Sequence, residues 1–263
     1  MAWIKRHLIT FAALAVLAYT LVPNVIVAVF SFNDPKGKFN YTFNEFSTDA
    51  WTNPCGAPGI CDSLGLSLRI GITASIIATI LGTMIAFALG RYRFRGRSAT
   101  NLLIFMPMAT PEVVMGSSLL TLFLMAGIPA GPVAILIAHI MFCVSFVVVA
   151  VKARVATLDP RLEEAAADLG ANPTQTFLRV TLPLAAPGIA AGGLLAFSLS
   201  FDDYIITNFN ASPSSITFPM FVWGAAQRGV PVQVNVIGTV VFLAALIFVI
   251  AGQVLSDRRQ RAV

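Results

Sequence analysis

The 263-residue sequence predicts an all-α integral membrane protein of six transmembrane helices, and three observations carry that prediction. Charged residues make up 11% of the chain, where a soluble domain carries about 25%. Mean hydropathy is +0.82. Apolar runs near residues 8–30, 64–89, 101–125, 132–151, 185–207 and 233–256 each reach the ~20 residues that a helix needs to cross a ~30 Å hydrocarbon layer. None shows the ten-residue alternation of outer-membrane strands, so the backbone hydrogen bonds must close inside helices. This composition excludes a soluble globule, a disordered chain and a small disulfide-scaffolded domain.

Taken in order, the first span follows Lys5 and Arg6. Its apolar stretch is too long for a signal-peptide core. Phe30-Ser31-Phe32-Asn33 follows where a small-x-small cleavage site would stand, which predicts an uncleaved signal-anchor helix. Arg91, Arg93, Arg95 and Arg97 fill the second connection. Lys152, Arg154, Arg161 and Arg179 fill the fourth, and Arg258, Arg259 and Arg261 the tail. Thirteen of the 17 Lys and Arg therefore fall on one side, which predicts both termini in the cytoplasm. Lys36, Lys38 and Arg228 fall on the other side, with Arg69 near a span end where it can snorkel. The net charge of +5 thus follows from topology and asks for no nucleic-acid partner.

The connection 31–63 is predicted outside. Cys55 and Cys61 flank a five-residue stretch there, in a compartment where disulfides persist. They form either a local staple or two unlinked thiols. Phe39, Tyr41, Phe43, Phe46 and Trp51 in the same segment suit a docking surface for an extracytoplasmic protein or a seat at the membrane interface. Pro219 to Trp223, in a second long outer connection (208–232), invite the same two readings. In the fourth span, Cys143 reads as a packing residue and His139 as a hydrogen-bonding partner between helices; the sequence holds no metal-ligand cluster.

Carboxylates at membrane depth are the chemically informative residues. Each Asp at bilayer centre costs about 2.5–3.5 kcal/mol, and Asp202 and Asp203 stand adjacent in the fifth span. One reading is negative potential along a path for an organic cation, with Tyr204 adding cation–π contact. The other is structural: acids bonded to Ser, Thr or Asn on adjoining helices. Neighbours on a helix point 100° apart, so the two acids can divide these tasks. Glu112 follows Pro111 in a third span that also contains Pro107 and Gly116. That span is predicted to be kinked or broken, with Glu112 either capping its end or lining the path.

The inner connection 152–184 carries more structure than a linker. Asp159-Pro160 is a helix start and Gly170 a stop. Asn172-Pro173 with Gln175 starts a second helix in the manner of a capping box, and Pro183 is expected to end it. Leu162, Ala165, Ala166 and Leu169 form one apolar stripe, with Glu164 and Asp168 opposite. Such a helix, about ten residues long, is too short to span a bilayer and marginal alone in water. It either rests on its own bundle or docks a partner.

These residues carry a resemblance. Glu164-Ala165-Ala166, three residues, Gly170, nine residues, then Val180-Thr181-Leu182-Pro183 resembles the EAA loop of ABC importer permease subunits, departing only by Val180 where the pattern has Ile. Arg91 to Gly96, Pro111 to Met115 and Ser200 to Tyr204 are similar to the permease subunits of spermidine/putrescine (PotC-type) importers, over about residues 64–256. The resemblance implies a single transmembrane permease domain over 1–263, with a coupling loop at about 157–183 seated in an ATP-binding subunit. Glu164, Ala165, Ala166, Gly170, Leu182 and Pro183 are the implied coupling positions; Asp202, Asp203, Glu112 and Tyr204 are the candidate path residues on the membrane-depth argument above. It implies a second permease subunit (homologous rather than identical), two copies of an ABC ATPase, an extracytoplasmic binding protein, and residence in a bacterial inner membrane.

No G-x-x-x-x-G-K-[ST] loop occurs. This chain is therefore expected to be non-catalytic and to hold no cofactor, with ATP and Mg on the partner. The same importer type with another small cationic or polar cargo is the nearest alternative. An ion-driven secondary transporter is the alternative of a different class; it would ordinarily show two inverted halves, and no convincing internal repeat is visible.

Overall fold

The structure, a computed structural model, describes residues 2–261, with side chains from His7 to Ile250. The side chains of Lys5, Arg6, Arg258, Arg259 and Arg261, on which the predicted placement of the termini partly rests, lie outside the described residues. The helices are α1 (Ala2–Phe30), α2 (Asp49–Thr52), α3 (Ile60–Arg91), α4 (Arg97–Ala109), α5 (Glu112–Met125) and α6 (Pro132–Ala156). They continue with α7 (Arg161–Asp168), α8 (Pro173–Thr176), α9 (Leu182–Asp202), α10 (Ile205–Asn210), α11 (Phe218–Arg228) and α12 (Val232–Arg261). A π-helical stretch, Phe177–Thr181, joins α8 to α9. Five helical segments are long and apolar enough to cross a membrane, and α4 with α5 makes a sixth if the bent pair counts as one span.

The chain divides into two compact units, one from its two ends (to Asp62 and from Phe221) and one from Ser63 to Met220. In the first, α1 packs along α12. The segment predicted only as an outer loop contains a short antiparallel ladder of β1 (Asn33–Asp34) and β2 (Glu45–Phe46), pairing Asn33 with Phe46 and Asp34 with Glu45. Asn33 holds it: its Nδ2 donates to Asn40 Oδ1 at 2.5 Å and the Thr42 carbonyl at 2.9 Å, and its Oδ1 accepts the Asn44 N–H at 2.7 Å. Phe32 stacks on both Phe46 and Trp51, and Cys55 is bonded to Cys61. Two-residue strands carry no alternation for sequence to reveal.

In the second unit, α6 is the hub, packing most extensively on α9 and also touching α4, α5 and α10. Apart from His139 and Phe142, its buried residues are small or β-branched, among them Ala134, Ala138, Cys143, Val147 and Val151. Such side chains let backbones approach, as helix contacts in lipid require. Gly82 of α3 does the same opposite Val147, where an added Cβ would lie 2.7 Å from the valine side chain.

Two predicted spans take a more definite form in the structure. The third, 101–125, is broken, as its prolines predict: α4 and α5 meet at 109°. With 13 and 14 residues, each is about 20 Å long and too short to cross alone. Pro111 lacks an N–H and its ring forces the preceding residue out of the helical region; Thr110 is extended at φ −81°, ψ 131°. The fifth span begins earlier and ends earlier than 185–207. Helix runs from Pro173 through the π-helical stretch to Asp202, so Pro183 does not end the second short helix. A proline ring clashes with the carbonyl four residues back, and the wider turn immediately before Pro183 relieves that clash.

The halves that follow the two breaks pack on each other, α5 against α10. Gly116 makes this contact possible: a Cβ there would lie 2.8 Å from the Phe209 ring and 3.3 Å from the Ile206 backbone. Gly116→Val is expected to destabilise the protein by about 1–3 kcal/mol, the usual cost of overpacking. Thermal unfolding of the purified protein in detergent measures this, with Gly224→Ala, where an added Cβ meets nothing within 4 Å, as the neutral control.

Candidate functional site

Two regions carry the chemistry. The first is the break between α9 and α10. Asp203 leaves the helix in an extended conformation (φ −67°, ψ 122°) and turns its carboxylate onto the start of α10. It accepts the Ile206 N–H at 3.3 Å, the Thr207 N–H at 2.7 Å and the Thr207 hydroxyl at 2.8 Å. From α6, His139 Nε2 lies 2.9 Å from Thr207 Oγ1 and 3.3 Å from Asp203 Oδ2, while Nδ1 lies 2.7 Å from Ser200 Oγ. All four residues are buried. One proton assignment satisfies them together: Nε2–H donates toward Thr207 and Asp203, and Nδ1 accepts the Ser200 hydroxyl. Asp203 is thus held by protein groups, and His139 bridges helices as its sequence context predicts.

Asp202, one residue earlier, is exposed and makes no hydrogen bond or ion pair among the described residues. Glu112 is exposed in the first turn of α5 and makes no side-chain cap bond, although its charge suits the positive end of the helix dipole. Tyr204 is half-buried. The structure therefore separates the adjacent acids: one anchors the helix break and the other remains available. Ser200 and Thr207, which complete the anchor, carried no signal in sequence because hydroxyl residues are common in membrane helices.

The second region is the helix pair between α6 and α9. Asp159 Oδ1 accepts the Arg161 N–H at 3.0 Å to start α7. Gly170, at φ +85°, ends it with the two bonds of a Schellman turn, Gly170 N–H to the Ala167 carbonyl and Ala171 N–H to the Ala166 carbonyl. Asn172 and Gln175 form a reciprocal capping box at α8. On α7, Glu163 and Ala167 face a cavity against the rest of this unit. The apolar stripe does not: Leu169 is 90% exposed, Leu162 46%, and Ala165 is exposed beside half-buried Ala166. Glu164 is exposed as well. Leu182 is half-buried and Pro183 exposed in the first turn of α9.

Long apolar helices, two lines of which break at carboxylates, define a polytopic membrane protein of the transporter class. The family is narrower. A model of the binding-protein-dependent transport system inner membrane component matches residues 65–263, and the chain belongs to that family. The spermidine/putrescine transport system permease protein PotC of Escherichia coli K12 is 36% identical over 242 residues, covering 92% of this chain and 91% of the relative. The putrescine transport system permease protein PotI of the same strain is 36% identical over 230 residues, covering 85% and 81%. Among solved structures, a bacterial ABC transporter involved in the import of the acidic polysaccharide alginate gives a TM-score of 0.66 at 17% identity, covering 96% of each chain. The MetNI methionine ABC transporter gives 0.59 at 17%, covering 77% of this chain and 95% of that one. These structures share the fold. Family membership makes the protein a non-catalytic, multi-pass inner-membrane permease component, and it sets aside the ion-driven secondary transporter.

Proposed function

We propose that this chain is the translocation subunit of an ATP-driven importer of polyamines. The observation that carries the reading is 36% identity to a spermidine/putrescine permease across nine-tenths of both chains, reinforced by the similarity to a putrescine permease. It is a single permease domain with both termini in the cytoplasm. It pairs with a homologous permease subunit, two copies of an ABC ATPase that hold ATP and Mg, and an extracytoplasmic binding protein.

Alternating access is a population shift driven by differential binding. ATPase closure moves the α7–α8 pair, and the pair moves the membrane helices continuous with it. Leu162, Ala165, Ala166 and Leu169 supply the contact with the ATPase, Glu164 a charge at its edge, and Gly170 the turn. Leu182 and Pro183 lie where the second short helix becomes α9. The uncovered apolar stripe on α7 supports this reading: such a stripe in water wants a partner. Asp202, with Glu112 and Tyr204, replaces water around the ammonium groups of the cargo, while Asp203 with His139 keeps the helix break in place.

The test is uptake of labelled spermidine and putrescine into vesicles holding all subunits. ATP-dependent accumulation of either is expected, competed by the other. ATP-dependent uptake of neither, with hydrolysis stimulated by a different small cation or polar solute, moves the cargo to that solute.

A further inference from the structure

Glu163 neighbours the docking positions of α7 but points away from them. Its Oε1 lies 3.0 Å from Arg91 Nη2 and accepts the Thr181 hydroxyl at 3.0 Å. Arg91 is the last residue of α3, and Thr181 the last of the π-helical stretch that leads into α9. One carboxylate oxygen therefore ties α7 to two membrane helices.

The surroundings of this tie are not close-packed. A cavity of about 350 Å³ lies beside it, walled by Phe87 and Phe177 on one side and by Ala167 and Ala171 of the α7 segment on the other. A close-packed face resists displacement; a helix pinned at one point over a void can turn about the pin. The guanidinium is also unused as a donor toward this carboxylate. Arg91 Nε and Nη2 are both buried and neither makes a hydrogen bond, so Nη2 and Glu163 Oε1 meet as an ion pair alone, although a guanidinium fork and a carboxylate fit each other with two parallel bonds. The same pair therefore has two discrete arrangements open to it, the present charge contact and the hydrogen-bonded fork. Thr181 sits in a wide π-type turn, a feature that concentrates at functional sites in helices.

We infer that Arg91, Glu163 and Thr181 form a hinge about which α7 turns, the ion pair passing from a charge contact without hydrogen bonds to a two-pronged, hydrogen-bonded contact as the ATPase subunits close. All three are positioning residues: they touch neither cargo nor nucleotide. The inference rests on the reading of α7 as the ATPase-docking helix.

The test uses the complete transporter in proteoliposomes and reads spermidine moved per ATP hydrolysed. Glu163→Gln removes the pair; Arg91→Lys keeps the charge but not the fork. Each is expected to lower the ratio about tenfold, within the range of coupling between linked sites, while the ATPase still co-purifies. Exchanging the pair, Arg91→Glu with Glu163→Arg, is expected to recover part of the loss. An unchanged ratio in Arg91→Lys overturns the two-pronged switch, and a loss that tracks loss of the ATPase from the complex reduces the cluster to a structural tie. Ala165→Cys is crosslinked to the ATPase in parallel. A crosslink with unchanged ratios in the hinge variants overturns the hinge alone; no crosslink overturns the docking reading and the hinge with it.

Discussion

Ala165→Arg is expected to reduce ATP-dependent uptake by about a hundredfold, equivalent to about 2.8 kcal/mol, with the protein still inserted and folded. The argument begins with what α7 leaves in water. Leu169 is 90% exposed and Leu162 46%, and burying a leucine side chain is worth about 1.5–3 kcal/mol. The bonds that shape α7 are all local or face the other way: the Asp159 start, the Gly170 Schellman turn, and Glu163 toward Arg91. Nothing in them requires Leu162, Ala165 or Leu169 to be apolar. On the proposed reading the apolar stripe is a surface kept for contact, and an alanine at its centre allows a partner backbone to come close. A guanidinium there needs several ångströms that a fitted cleft does not have. Glu164→Lys, at the edge, is expected to leave the ATPase bound while uptake per ATP falls. Uptake assays and co-purification of the ATPase separate the two effects. Unchanged uptake in both variants would remove α7 from the coupling path.

What could be read from sequence and what could not follows the range of the interactions concerned. The Asn172–Gln175 capping box, the Gly170 stop and the Asp159 start are satisfied within a few residues, so sequence spacing contains the whole device. Pro111 is equally local and marks where the third span fails; the 109° angle does not follow from it, because the direction of α5 is set by its packing on α10 through Gly116. Pro183 misleads for the opposite reason. Its local rule says stop, and only the neighbouring π-helical stretch shows how the chain continues. Least legible are the long-range polar ties. His139 meets Ser200 and Thr207 across 61 and 68 residues, and Arg91 meets Glu163 across three intervening helices. In sequence, Arg91 is one of several basic residues on a predicted inner face and Glu163 an unremarked neighbour of Glu164.

Asp202 and Asp203 are expected to separate cleanly when each is changed to asparagine. Asp203 accepts two backbone N–H groups and a hydroxyl, and faces a buried histidine. Asparagine offers one acceptor where the carboxylate offers two and adds donors that point at N–H groups. Breaking such a buried charged network costs about 3–5 kcal/mol, so Asp203→Asn is expected to lower the unfolding temperature in detergent and the yield of assembled complex. Uptake then falls in proportion to the complex lost. Asp202 is exposed and makes no hydrogen bond or ion pair among the described residues, so Asp202→Asn is expected to leave unfolding and assembly unchanged. Its cost appears in transport. A hydrogen bond to a charged group is worth about 1.5–3 kcal/mol, which translates into a roughly 10- to 150-fold loss of spermidine uptake at low concentration. The loss should be smaller for putrescine, whose two ammonium groups have fewer contacts to forfeit. The paired measurement is unfolding temperature and uptake for each variant. Normal uptake in Asp202→Asn assigns the path to other residues, and an unfolding temperature that drops equally in both variants makes the two acids a single structural element.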